Sequence, residues 1–398
     1  MKQVFLKYGK EESLLRRHPW VFSGAIHHFS EEPEDGEVVD VMVATCGENN
    51  KYGDFSFIAR GHYQAGSIMV RILTFDNETI DQTFYEHRLK SALSVRQMLG
   101  LNDSFRLVHG EGDMLPGLVI DVYGRTAVMQ AHSVGMHLDR MTIAKALKAV
   151  MSDRLDNIYY KSETTLPINR IGGEGENCYL LGGNSDDIAS ENGLKFHGDW
   201  LRGQKTGFFV DQRDNRSLLE KYAKGRRVLN MFCYTGGFSF YALRGGAILV
   251  HSVDSSKKAI DLTCANVELN YPGDPRHEAF AEDAFKFLEH TNKGDYDLVV
   301  LDPPAFAKHK TSLHNALKGY TRLNQRAMEK MPSGSILFTF SCSQVVSKDH
   351  FRAAVFTAAV QANRKVRILH QLHQPADHPI NICHPEGEYL KGLVLYVE

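Results

Sequence analysis

Two apolar runs end in residues that could do chemistry. The stretch ILFTFSCSQ, residues 336–344, closes on Cys342 between two serines, and YDLVVLD closes on Asp302 before continuing into PPAF. A thiolate can add to carbon 6 of a pyrimidine, and the adduct makes carbon 5 nucleophilic enough to take a methyl group from a sulfonium. Without that addition, carbon 5 of cytosine is a poor nucleophile. A carboxyl group beside the thiol can hydrogen-bond ring nitrogen 3 and stabilise the adduct, after which a base removes the carbon 5 proton. Cysteines at strand ends often only pack, so the reading depends on which elements carry these residues and how they are arranged.

From about residue 191 the sequence alternates strand and helix, the mark of a parallel sheet covered on both faces. Strands are expected at RVLNMF (227–232), ILVHSVD (248–254), HEAFAED (277–283), YDLVVLD (296–302) and SILFTFS (335–341). Helices are expected at FSFYALRGG, SKKAIDLTCANVELN, AFKFLEHTN and around 314–330. In such sheets the first, fourth and fifth strands run side by side, so Asp302 and Cys342 should stand at neighbouring carboxyl ends, about 5 Å apart in the backbone. Ligands bind beyond those ends.

The first strand runs into FCYTGGFS, where Gly236 and Gly237 let backbone approach a ligand before a helix begins. One βα unit later Asp254 could accept from both hydroxyls of a ribose, so the pair points to an adenosine-type cofactor. The motif lacks the GxGxxG that a pyrophosphate needs, whereas S-adenosyl-L-methionine carries no phosphate. Asp283 could meet the adenine amine and also cap the next helix. After Asp302, Pro303 and Pro304 stiffen the turn and project Phe306. Ala305 interrupts the Asp-Pro-Pro-aromatic order of amino-methyltransferases, which points away from an exocyclic amine.

Upstream, short β-like runs over residues 1–75 form a small β-rich module. There Lys7, Lys10, Arg16 and Arg17 stand near Trp20 and Phe22, cations beside aromatics as RNA-binding surfaces use them. A helix is expected over 83–99, then strands in RLVHGEGD, GLVIDVYG and TAVMQAH, a helix over 137–151, and loops in IGGEGENCYLLGGNSDD (171–187). The 398 residues are too many for one ordinary core. With 43% hydrophobic and 24% charged residues and no long apolar run, the composition is that of a soluble protein with no membrane partner. The charged amino terminus and six scattered cysteines without metal-like spacing fit a cytoplasmic protein with free thiols and no metal site. A net charge of −2 makes any nucleic-acid surface local.

With these residues in place, the sequence resembles the RlmI type of ribosomal RNA large-subunit cytosine-5 methyltransferase over nearly its whole length. The match rests on LLRRHPWVFSGAI, GEGDMLPGLVIDVYG, GQKTGFFVDQRDNR, LNMFCYTGGF, LDPPAFAK, FTFSCS, ADHP and PEGEYLKG in that order. The resemblance implies an α/β fold: a Rossmann-like class I methyltransferase domain with a mostly parallel sheet (191–398), preceded by a small β-rich PUA-like RNA-binding domain (1–75) and a central α+β domain (76–190). It implies S-adenosyl-L-methionine as donor and 23S ribosomal RNA, naked or in a large-subunit precursor, as substrate, with a homodimer compatible with the group. Carried over by position, Cys342 is the nucleophile and Asp302 the partner of the cytosine ring. Phe208, Gln212, Phe232, Tyr234, Thr235, Gly236, Gly237, Asp254, Ser255, Asp283, Ala284 and Asp302 line the cofactor. Pro303, Pro304, Phe306, Lys205, Arg213, Arg16 and Arg17 meet the RNA. The segment KTGFFVDQRDNR reads as a lid on which Phe208 and Phe209 offer flat apolar surface and Asp211 caps a helix from Gln212, while Lys205, Arg213 and Arg216 either meet phosphates or the methionine carboxylate or are plain surface charges.

The segment KSETTLPINRIGGEGENCY departs from the charged pattern of that group, and DPPAF lacks the second cysteine of many other RNA cytosine-5 enzymes, as the RlmI type does. Three rivals stand beside this reading. An RNA uracil-5 methyltransferase also needs a cysteine adduct, but in another cysteine context. An NAD-dependent oxidoreductase would need a fuller glycine cradle. A non-catalytic RNA-binding protein would not need the thiol, carboxyl and glycine turn together.

Overall fold

The computed structural model describes residues 1–46, 52–166, 177–183, 187–307 and 309–398. The chain forms two compact units: Met1–Ala189 with Gly198–Val210 and Ala376–Gly387, and Ser190–His197 with Asp211–Pro375 and Glu388–Glu398. Among the described residues no helix is long and apolar enough to cross a membrane.

The first unit holds two sheets. One has six strands in the order Trp20–Phe22, Ile68–Thr74, Tyr52–Tyr63, Val38–Cys46, Gln3–Leu6, Ile26–Phe29, antiparallel except where Gln3–Leu6 runs parallel to Val38–Cys46. It closes on Val4, Leu6, Val39, Val41, Val70 and Ile72. The other has five strands, Cys178–Leu181, Asn157–Tyr160, Thr126–Ala131, Leu118–Tyr123 and Ser104–His109, and shares a core with the helices Gln82–Met98 and Arg140–Met151. Gln82–Met98 starts where Asp81 accepts from the Phe84 amide, the ordinary side-chain cap. The single helix expected over 137–151 is instead two, Val134–Leu138 and Arg140–Met151, broken at Asp139, whose Oδ2 accepts the Tyr85 hydroxyl at 2.5 Å. Of the loop expected over 171–187, residues 171–176 and 184–186 lie outside the described residues, as does part of KSETTLPINRIGGEGENCY. Cys178–Leu181 forms a strand, held by pairing with Asn157–Tyr160.

The second unit is built, among the described residues, on a seven-stranded sheet, with the separate two-stranded pair Ile188–Glu191 and Leu194–His197 preceding it in the chain. The strands of the larger sheet are β1 (Arg227–Met231), β2 (Leu249–Asp254), β3 (His277–Ala281), β4 (Leu298–Leu301), β5 (Ser335–Ser341), β6 (Val366–Leu372) and β7 (Lys391–Val397), in the spatial order β3-β2-β1-β4-β5-β7-β6. β1 to β5 are parallel, and β7 runs antiparallel to both β5 and β6. The helices are α1 (Arg213–Tyr222), α2 (Gly237–Arg244), α3 (Lys257–Asn270), α4 (Ala284–His290), α5 (Leu313–Lys330) and α6 (Lys348–Gln361). The central strands read as almost unbroken apolar runs because both faces are covered: every residue of β4 and β5 is buried. One face packs Leu301, Tyr320, Leu323 and Phe351, and the other Val228, Val300, Phe338 and Phe340. The outer strands β3 and β6 have no fully buried residue, as edges of a sheet allow.

Candidate active site

Each parallel strand delivers a loop to the same sheet edge, and side-chain hydrogen bonds shape those loops. After β1 the backbone turns left-handed at Phe232 (φ 57°), Tyr234 (φ 48°) and Gly236 (φ 79°). Left-handed backbone costs a side-chain-bearing residue about 1–2 kcal/mol, so two such residues in three positions mark a turn that the surroundings hold in place. Thr263 Oγ1 donates to the Tyr234 carbonyl at 2.8 Å and Asn266 Nδ2 to the Thr235 carbonyl at 2.8 Å, both from α3. Gly236 is required twice over: its φ is positive, and a Cβ there would lie 2.7 Å from Thr263 Cγ2. Gly237 opens α2. Asp254, at the end of β2, accepts from the Tyr234 amide at 3.0 Å on Oδ2 and from the Ser256 amide at 2.9 Å on Oδ1, with Ser255 exposed beside it. It therefore ties the glycine turn to the following helix. Asp283 caps α4 through the Phe285 and Lys286 amides, at 3.0 and 3.1 Å, with Ala284 buried behind it.

Asp302 leaves β4 half-buried, and Gln212 Nε2 donates to its Oδ2 at 2.9 Å. Gln212 is itself steered by Asn215 Nδ2, which donates to its Oε1 at 2.6 Å. Gln212 thus acts on the carboxyl group that the sequence places with the reacting base. The parallel register pairs Leu301 with Thr339. Position 302 falls level with Phe340, and Cys342 lies two residues further on, about 7 Å along the strand direction. The directly opposed spacing of about 5 Å is not found; the backbones stand on a diagonal of roughly 8 Å.

Cys342 is half-buried, and both flanking serines are buried and bonded. Ser341 Oγ donates to the Tyr320 hydroxyl at 2.9 Å, and Ser343 Oγ donates to the Ala307 carbonyl at 2.5 Å. The serines hold the cysteine turn against α5 and against the loop that follows Asp302. In that loop Pro303 is buried, Pro304 exposed, and Phe306 leans on Tyr320 with ring centroids 4.7 Å apart. Burial pushes the Tyr320 hydroxyl up to about 12, so it stays a phenol at neutral pH. Cys233 is a contrasting thiol: burial raises it to about 12, and it sits 3.6 Å from Thr263 Oγ1 as a packing group.

Several positions differ from expectation. Arg213 and Arg216 are not surface charges, being 5% and 2% exposed. Arg216 makes a double hydrogen bond to the buried Glu191, at 2.8 and 2.6 Å. The α-helix begins at Arg213, and Gln212, not Asp211, stands at its cap position. Asp211 accepts the Tyr389 hydroxyl at 2.7 Å from a preceding 3-10 turn. Phe208 is buried and its carbonyl accepts the Tyr123 hydroxyl at 2.8 Å, so it is no open apolar face; the exposed Lys205 lies 4.7 Å from the Phe209 ring centre. These residues, with Arg16 and Arg17, belong to the first unit. Arg16 is exposed and ion-paired with Glu12, and the guanidinium of Arg17 covers the Phe75 ring at 4.7 Å. Tyr320, Asn215, Glu191 and Lys391 are the site neighbours that sequence reasoning missed; only their spatial pairing reveals them.

A parallel five-strand core extended by an antiparallel pair, with a glycine turn after β1 and acids after β2 and β3, is the Rossmann-like class I methyltransferase fold. Residues 168–383 match the S-adenosylmethionine-dependent methyltransferase family, and residues 4–75 match a PUA-like domain. A protein of Aeromonas hydrophila named ribosomal RNA large subunit methyltransferase I is 40% identical, the match covering 98% of this chain and 98% of that one. Its namesake in Escherichia coli is 38% identical over 99% of each chain. Among solved structures, a methyltransferase complexed with SAH superposes with a TM-score of 0.81 at 22% identity, covering 99% of this chain and 100% of that one. A SAM-dependent methyltransferase from Streptococcus mutans gives 0.80 at 21% identity, with the same coverage. The chain belongs to the S-adenosylmethionine-dependent methyltransferase family. S-adenosyl-L-methionine is its methyl donor.

Proposed function

We propose that the protein methylates carbon 5 of a cytosine in large-subunit (23S) ribosomal RNA through a covalent adduct on Cys342. The observation that carries the reading is the pairing of β4 with β5, which sets Asp302 and Cys342 on one sheet edge but off level. Nitrogen 3 and carbon 6 are opposite corners of a pyrimidine, about 2.8 Å apart. A carbon–sulfur bond on one side and a hydrogen bond of about 2.8 Å on the other bring the span to roughly 7 Å. That is the separation the two side-chain atoms must reach, from backbones that stand roughly 8 Å apart.

In this mechanism the Cys342 thiolate bonds to carbon 6, and the ring electrons move toward nitrogen 3, where a hydrogen bond with the carboxyl group of Asp302 stabilises them. Carbon 5 then takes the methyl group and S-adenosylhomocysteine leaves. Loss of the carbon 5 proton to a base expels the thiolate and restores the ring. Gln212 on Oδ2 orients the carboxyl group. Gly236, Gly237, Asp254 and Asp283 would hold the donor by backbone approach, ribose hydroxyls and adenine. The PUA-like module over 1–75 would bind the RNA.

The test is to incubate the protein with ribosomal RNA and methyl-labelled S-adenosylmethionine, then digest to nucleosides. Label in 5-methylcytidine is expected. Label in 5-methyluridine or in a purine would overturn the cytosine reading.

A further inference from the structure

Strand β7 opens at Lys391, which pairs across the sheet with Ser341, the residue before Cys342. Its Nζ donates at 2.5 Å to the carbonyl of Ser343, the residue after that cysteine. The backbone of Lys391 is thus fixed on one side of Cys342 and its amine on the other. The side chain is 5% exposed, and among the described residues it makes no ion pair with a carboxylate. Glu388, the nearby acid, is engaged at 2.5 Å by Lys348 of α6.

A buried amine without a carboxylate is costly unless an anion can form beside it. We propose that Lys391 is the cation that favours the thiolate form of Cys342; this rests on the reading of Cys342 as nucleophile. The thiol proton passes to solvent while Lys391 keeps its own, so that thiolate and ammonium stand near one another. The ammonium then balances the anion that attacks carbon 6. Lys391 acts through the cysteine and is a positioning residue.

The surrounding charges fit this role. Burial pushes the Lys391 ammonium down to about 8. Against it, Cys342 is the largest influence holding the amine protonated, followed by Glu388, while Lys348 works the other way. An ammonium near 8 still carries its proton at neutral pH, so the cation is in place where the thiolate must form.

The experiment needs no RNA and is therefore independent of the base that is methylated. The full-length protein is alkylated with iodoacetamide from pH 5.5 to 10, and Cys342 is followed by peptide mass spectrometry with the exposed Cys264 as internal reference. In the unmodified protein the Cys342 profile should have its midpoint at least one unit below that of Lys391→Met. At pH 7 the variant should react about tenfold more slowly relative to Cys264. Lys391→Arg, which keeps the cation, should retain most of the low-pH reactivity. S-adenosylhomocysteine affinity within about twofold shows that each variant has kept its fold. Superimposable profiles for the protein and Lys391→Met would overturn the proposal. So would a midpoint at or above 8.5 in the unmodified protein, a result that needs no variant to fold.

Discussion

Arg216→Met removes a cation from a closed pocket. Arg216 is 2% and Glu191 1% exposed, and the guanidinium donates to both carboxylate oxygens, at 2.8 and 2.6 Å. Methionine fills similar volume but leaves Glu191 buried with, among the described residues, only the Tyr241 hydroxyl, at 2.9 Å, still donating to a carboxylate oxygen. Stranding one partner of a buried pair costs about 3–5 kcal/mol, whereas replacing both by neutral groups of similar size is often close to neutral. At about 2–4 °C per kcal/mol for a unit of this size, the second unit should melt roughly 6–20 °C lower in Arg216→Met. Adding Glu191→Gln should recover more than half of that loss, because the stranded charge is gone. Urea titrations of the protein, both single variants and the double variant, followed by fluorescence, measure the cycle. A loss under about 1 kcal/mol for Arg216→Met, or strict additivity in the double variant, would refute the reasoning.

Cys342→Ala should abolish methyl transfer while S-adenosylhomocysteine affinity by calorimetry stays within about twofold, since the residue is read as touching only the base. Gly236→Ala must adopt a left-handed φ and place a Cβ 2.7 Å from Thr263 Cγ2. The strain of about 1–2 kcal/mol should weaken cofactor binding roughly tenfold in the same calorimetric assay. Burial lowers His277 from its ordinary value to about 4, and its Nε2 lies 2.8 Å from Ser252 Oγ. The folded protein therefore keeps it neutral. Its contribution is present above the unfolded value near 6.5 and is lost as pH falls toward 4. In urea midpoints over that window, His277→Gln should flatten the slope by at most about 1.4 kcal/mol per pH unit.

The parallel sheet is legible because its strands are short apolar runs set between glycine and proline turns. β5, with all seven residues buried, has nothing else to be. Asp302 and Cys342 follow from it, since parallel topology alone sends their loops to one edge. The antiparallel end is harder: β6 faces solvent at most of its positions and lacks an apolar signature, so neither it nor its pairing with β7 can be read from periodicity. Lys391 is hidden for the same reason, lying 48 residues from the carbonyl it bonds. The buried state of Arg216 depends on Glu191, 25 residues away, and a charged residue without its partner looks like surface. Left-handed backbone at Phe232 and Tyr234 is invisible where side chains ordinarily forbid it, whereas Gly236 announces the same conformation by its type.

The covalent step can be measured directly with ribosomal RNA transcribed with 5-fluorocytidine in place of cytidine. A fluorine on carbon 5 cannot leave as a proton, so an enzyme that works through a carbon 6 adduct halts after methyl transfer with the RNA still attached. Incubation with S-adenosylmethionine, nuclease digestion and peptide mass spectrometry should find one methylated fluorocytidine on the Cys342 peptide, and none in Cys342→Ala. Complete methylation of ordinary RNA with no adduct on the fluorinated substrate, or an adduct on any other residue, would contradict the account.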